Sequence, residues 1–197
     1  MKIRAFKGFR PIAEKAKAVA SRPYDVLNSE EAVEEAKGNP FSFLKVVKPE
    51  ITLPSETNHY SAAVYEAGKN NFQKLVDEGI FLQDKEDCLY IYELVMDGRS
   101  QNGIVACASV EDYMNGHIKK HELTRPEKEK DRIEHMHAIS AQTGNVFLAY
   151  RDVMEVNALI SGWKTTQKPV YDFTANDGIR HTIWIIDRDI VIDSITQ

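Results

Sequence analysis

The chain reads as an α+β protein of mixed α/β character, with a central antiparallel or mixed sheet flanked by helices and room for two small lobes. Three observations predict this class. Two pairs of apolar runs, 88–96 with 103–110 and 170–174 with 179–186, are each separated by hairpin-grade turn residues, Asp97-Gly98-Arg99-Ser100 and Ala175-Asn176-Asp177-Gly178. Segments 61–78 and 127–142 carry helical spacing instead. Helical and strand segments follow one another without a regular βαβ rhythm, an internal repeat or a low-complexity linker.

In chain order, residues 3–9 read as a strand with one polar edge. Pro11 opens a helix through Ala13–Ala20, where alanine, lysine and glutamate favour helix. Pro23 holds Arg22 extended and stops it, and Tyr24-Asp25-Val26-Leu27 follows as a turn. Asn28 and Ser29 are both suitable N-caps for a helix to Lys37, and Gly38 suits its C-terminus. Residues 41–47 mix aromatic and aliphatic side chains as a buried strand does, and 48–59 form a loop. Val64, Ala67, Asn71, Leu75 and Val76 approximate one face of the helix over 61–78, with Gly79 as its stop. Residues 110–120 are expected to be helical, as are 127–142, ended by Gly144. A strand over 145–150, a short helix over 152–161 and a strand-rich end through Ile190-Val191-Ile192 complete the reading.

Composition excludes several classes. The 197 residues are 43% hydrophobic and 28% charged, an ordinary globular balance. No apolar run approaches the roughly 18 residues of a membrane helix, and the first residues lack a secretion signal, so a cytoplasmic protein is expected. Cys88 and Cys107 sit in apolar strand-like runs without a CxxC pair and read as reduced core thiols. Net charge is −5, but residues 1–22 hold seven cations against the single acid Glu14, which leaves −11 on the remainder. An acidic chain is a poor nucleic-acid binder, whereas a local basic patch suits a small phosphorylated ligand or is simply a solvated face. P-loop, dinucleotide-fingerprint and nucleophile-elbow patterns are absent.

The densest cluster of reactive groups is His121-Glu122-Leu123-Thr124-Arg125-Pro126-Glu127-Lys128-Glu129-Lys130-Asp131-Arg132. Thr124 and Glu127 fit a capping box, which by itself explains Thr124 structurally. A helix start also leaves amides free for phosphate or carboxylate, and Lys128 and Arg132, four apart, share a face from which to clamp an anion. His121 and Glu122 precede it as candidates for proton transfer, or as surface decoration. Metal chemistry is not expected: HExxH fails, and the pair His117 and His121 lacks a third ligand. His135 and His137 diverge on a helix, one toward the core and one toward water, and Glu127, Asp131 and His135 form what is most simply a solvated row.

These residues resemble a family known only as domain of unknown function 1015. The resemblance is carried by Ile3-Arg4-Ala5-Phe6-Lys7-Gly8-Phe9-Arg10-Pro11, by Pro23-Tyr24-Asp25-Val26 and by Gly38-Asn39-Pro40. His121-Glu122 with Thr124 and Asp131-Arg132 match its central HExT…DR signature, with Leu123 where arginine is usual. Asp177-Gly178, His181, Trp184 and Asp187 match a later hairpin. Family members usually run longer and carry a Gly-His-His-Arg type motif that does not occur here. The resemblance therefore implies a single N-terminal domain or fragment over 1–197 and an active site completed elsewhere; a subdivision into 1–55 and 56–197 is the alternative organisation.

On this reading the protein is the small-molecule phosphate- or nucleotide-binding part of a metabolic enzyme, a phosphotransferase or phosphohydrolase when full length. The resemblance adds a serine-related link. His121 and Glu122 are the catalytic candidates; Arg10, Tyr24, Asp25, Asn39, Thr124, Lys128 and Arg132 are the ligand-binding candidates. The partner implied is a small anionic metabolite or nucleotide, with a nucleotide and magnesium as the cofactor to test; nucleic acid and membrane are not expected, and a homodimer is admissible. The alternatives are a non-catalytic, nucleotide-responsive module related to ParB-type partitioning proteins, and a purely structural N-terminal domain in which HExT…DR supplies a cap and a buried ion pair. Convergence of His121, Thr124, Lys128 and Arg132 on one open cleft would favour the binding reading.

Overall fold

The computed structural model describes residues 1–121 and 123–196. It opens with strands β1 (Ile3–Arg4) and β2 (Phe9–Pro11), then a 3-10 turn that runs into α1 (Ala16–Val19). A second 3-10 turn (Tyr24–Val26), α2 (Ser29–Ala36), α3 (Leu44–Val47), a third 3-10 turn (Pro49–Thr52) and α4 (Ala62–Asp77) follow. Next come β3 (Phe81–Gln83), β4 (Leu89–Met96), β5 (Arg99–Val105), β6 (Cys107–Ala108) and α5 (Val110–Met114). The chain continues through α6 (Pro126–Ile139), α7 (Met154–Thr166), β7 (Tyr171–Thr174), β8 (Arg180–Ile186) and α8 (Asp189–Thr196). The α+β class holds: the strands pair antiparallel, and helices flank the largest sheet. No helix among the described residues is long and apolar enough to cross a membrane.

Two compact units are each assembled from separated segments. Unit 1 comprises Met1–Ala13, Leu82–His121 and Ala149–Gln197; unit 2 comprises Glu14–Phe81 and Glu122–Leu148. The chain does not divide at the expected 55/56 cut, because α3 and the Pro49–Thr52 turn pack against α4. Gly68 of α4 allows that approach: a Cβ there would lie 2.8 Å from Pro49 Cγ and 3.3 Å from the Val46 carbonyl oxygen.

Unit 1 is built on a four-stranded sheet in the order β5-β4-β8-β7. Its register sets Ile91 opposite Trp184 and Leu89 opposite Ile186, and these four side chains form the sheet side of the core. Ile160 and Trp163 of α7 and Ile192 and Ile195 of α8 complete it. Asp97 and Gly98 adopt positive φ angles of 51° and 77°, the two-residue hairpin geometry whose twist matches the strands. The expected strand over 3–9 is broken into β1, paired with β6, and β2, paired with β3. Between them Gly8 approaches Tyr90 so closely that a Cβ would meet its hydroxyl at 2.5 Å. The expected strand at 190–192 is instead inside α8: Ile192 and Ile195, three apart, are the buried pair, which is helical spacing.

Unit 2 is helical. Val19, Val46, Leu75, Ile80, Phe81 and Ile139 form one core cluster, and Leu27, Ala32, Ala36, Leu44 and Val47 another. Residues 44–47, expected as a strand, are α3. Leu44 and Val47 enter one cluster while Val46 enters the other, so a single helical turn serves both. Asn28 caps α2 with a full capping box through Glu31. Helix α6 ends at Ser140 in the left-handed region (φ 58°), before the expected Gly144. Residues 145–150, expected as a strand, pair with none of the described strands, and Val146 and Phe147 are exposed.

Candidate functional site

One flank of α6 carries the functional side chains of unit 2. Lys128, Asp131, Arg132 and His135 recur at the i, i+3, i+4, i+7 positions that share a helix face, and all four line a cleft. Its other lining comes from Tyr24, from Val47-Lys48-Pro49-Glu50, from His59 and Tyr60, and from Val64 and Tyr65 at the start of α4. The cleft holds about 80 Å³. A water claims about 30 Å³ of liquid, and pockets for drug-sized ligands begin at about 300 Å³, so the space suits one small polyatomic group.

The polar groups are tied into ordered pairs. Arg132 donates to Asp131 Oδ2 through Nε (3.1 Å) and Nη2 (2.7 Å), reaches the Val47 carbonyl from Nη1 (3.5 Å), and lies 4.4 Å over the Tyr24 ring. Tyr65 Oη donates to Asp131 Oδ1 at 3.0 Å; burial, reinforced by that carboxylate, pushes its pKa up to about 12. Lys48 pairs with Glu50 at 3.1 Å, and Ser29 Oγ donates to Glu50. Lys128 differs: Nζ donates to Tyr60 Oη at 3.3 Å and stands over that ring, and it has no carboxylate partner among the described residues.

His135 is 1% exposed. Its Nε2 lies 2.8 Å from the Val46 carbonyl oxygen, which accepts only from an N–H, so Nε2 carries the proton. Burial, with Arg132 nearby, moves its pKa below the ordinary value near 6.5 despite the Val46 bond, so the ring is neutral near pH 7. Nδ1 is therefore a lone-pair acceptor, and it is buried without a partner among the described residues.

The expected residues separate. Of His121, Thr124, Lys128 and Arg132, whose convergence was the expectation, only Lys128 and Arg132 line the cleft, together with Tyr24. Asp25 is exposed beside Tyr24 and is not among the lining residues. Asn39 has a structural role: Nδ2 donates to the Ala18 carbonyl (2.6 Å) and Oδ1 accepts from the Phe41 amide (3.0 Å). Arg10 belongs to unit 1, where it is forked onto Asp84 and donates to Tyr171 Oη at 3.3 Å; Tyr90 Oη also donates to Asp84. His121 is an exposed residue of unit 1, and Glu122 lies outside the described residues.

The helix start also departs from expectation. Arg125, not Thr124, is the N-cap of α6, and no side chain caps it. Pro126, with φ fixed by its ring, begins the helix one residue later than a Thr124 cap requires. Thr124 Oγ1 instead donates to Glu129 at 3.0 Å. The Lys128 and Glu129 amides donate to the Arg125 carbonyl and Pro126 has none, so the tip offers little to an anion; the cations sit on the flank. The row of Glu127, Asp131 and His135 is not solvated throughout, since Asp131 and His135 are buried. Lys48, Glu50, His59, Tyr60 and Tyr65 had no signature in the sequence; they come from the loop and helix start that the fold brings against α6.

A larger groove, about 600 Å³, runs between α7 and α8 in unit 1. Its lining is mainly Ala158, Leu159, Gly162, Trp163 and Val191, with Glu155 and Arg188 as its charged members, so it lacks convergent ionisable groups. Among the described residues no group of three or more His, Cys, Asp or Glu is placed to hold a metal ion.

Fold and cleft thus define a two-unit α+β protein with an ordered ionic cleft in its helical half. The chain belongs to the family described as protein of unknown function (DUF1015), whose model matches residues 3–197. No curated protein and no solved structure matches it.

Proposed function

We propose that the unit 2 cleft binds the anionic group of a small metabolite, and that the protein is the phosphate- or nucleotide-binding part of a metabolic enzyme acting on phosphoryl groups. One observation carries the reading. Three cations, Lys48, Lys128 and Arg132, face two carboxylates, Glu50 and Asp131, in a space of about 80 Å³, and Lys128 is held by a phenol rather than a carboxylate. The excess positive charge and the free Lys128 donors favour an oxyanion. The volume admits a phosphate or carboxylate and leaves the rest of a nucleotide or amino acid outside.

Calorimetric titration of the full chain at low salt with inorganic phosphate, ADP and phosphoserine tests it. Binding is expected, weakened roughly ten- to a hundredfold in Lys128→Gln, the value of a charge-assisted hydrogen bond of about 1.5–3 kcal/mol. Absence of binding by all three probes refutes the reading.

A further inference from the structure

Resting on that reading, we infer that the cleft selects an oxyanion that still carries a proton, hydrogen phosphate or a hydroxyl-bearing phosphate, over one that carries none. The lining of the cleft includes His135, whose Nε2–H is committed to Val46 and whose Nδ1 lone pair is buried without a donor among the described residues. A buried acceptor facing another acceptor loses its hydrogen bond and keeps its desolvation penalty. Asp131 and Glu50 add acceptors to the same lining, each already taking a hydroxyl donor from Tyr65 or Ser29. Cations alone would hold sulfate and hydrogen phosphate alike, because both are tetrahedral dianions. The lone pair separates them: hydrogen phosphate donates to Nδ1, and sulfate has nothing to donate. Discrimination by a site that requires a donor exceeds discrimination by size, because the mismatched ligand leaves a buried polar group unpaired.

The experiment is competitive titration of the full chain with inorganic phosphate and sulfate at matched ionic strength near neutral pH, with arsenate and selenate as a second pair. Phosphate and arsenate, which keep a proton, are expected to bind at least about tenfold more tightly than sulfate and selenate. In His135→Gln, whose amide supplies an N–H for the Val46 carbonyl but no acceptor at the ring Nδ1 position, the ratio of phosphate to sulfate affinity is expected to fall toward one, and an unchanged ratio would overturn the inference. Should this variant fail to fold, the arsenate–selenate comparison in the natural protein decides alone. Equal binding of all four ions overturns the inference and leaves an anion cleft standing. Binding of none overturns the anion cleft and the inference together.

Discussion

Replacing Arg132 by alanine tests how the cleft is held together. Arg132 is 27% exposed and its partner Asp131 11% exposed, so solvent screens the pair only in part. The substitution removes two charge-assisted hydrogen bonds to one carboxylate oxygen, a long contact to Val47 and the stacking on Tyr24. Hydrogen bonds to a charged group are worth about 1.5–3 kcal/mol, and a partly exposed cation–π contact about 0.5–1 kcal/mol. Asp131 would keep only the Tyr65 hydroxyl while remaining nearly buried, so a loss of about 2–4 kcal/mol is expected. Arg132→Lys, which keeps the charge and loses the planar fork, should cost about half as much. Urea unfolding gives both values, provided the slope with denaturant is unchanged. A double-mutant cycle with Asp131→Asn should return a coupling of about 1–3 kcal/mol. An Arg132→Ala protein within about 0.5 kcal/mol of the natural one would show that this is a solvated surface pair and would refute the account of the cleft as an ordered ionic structure.

Gly68→Ala gains about 1 kcal/mol of helix propensity but drives a methyl into Pro49 and the Val46 carbonyl; overpacking at about 1–3 kcal/mol should prevail, and the melting temperature should fall. The pKa of His135 is lowered by burial, so its contribution to stability is complete above its unfolded value of about 6.5 and is lost as pH falls below it, because the unfolded chain takes up the proton first. Urea midpoints measured downward from neutral pH should therefore decline more steeply in the natural protein than in His135→Gln, and parallel curves would contradict the assignment. Burial pushes the Cys88 thiol up to about 11, so a thiol reagent near neutral pH should modify it only on unfolding; rapid labelling of the folded chain at Cys88 would contradict its burial.

Much of the fold was legible where local rules are strict. Asp97-Gly98 and the 175–178 turn announced their hairpins because only a few residue types tolerate positive φ. Asn28 announced α2 because its side chain completes a specific hydrogen-bond pair with Glu31. Two of the misread segments, 41–47 and 190–192, are short apolar runs for which burial does not distinguish one helical turn from a strand, and a third, 145–150, is apolar yet largely exposed and unpaired with the described strands. Within the site, Lys128 and Arg132 were legible as an i, i+4 pair; that one of His135 and His137 turns to the core was legible too, but not which, since the row of Glu127, Asp131 and His135 read as solvated whereas His135 is buried and His137 exposed. The start of the helix was misplaced by one residue, because Pro126 and not Arg125 begins α6. The opposing wall depends on contacts of residues 47–65 with α6, which no local pattern encodes. Arg10 and Asn39 are ordinary ligand-binding residue types in the sequence; the hydrogen bonds of the folded chain commit them to structural partners.

The most direct measurement is a titration of isotopically labelled protein with inorganic phosphate, following backbone amide chemical shifts. The account predicts saturable changes confined to residues 47–50, 59–65 and 128–135, with those of Lys128 and Arg132 among the largest. Unchanged spectra, or changes centred on the α7–α8 groove of unit 1, would contradict it.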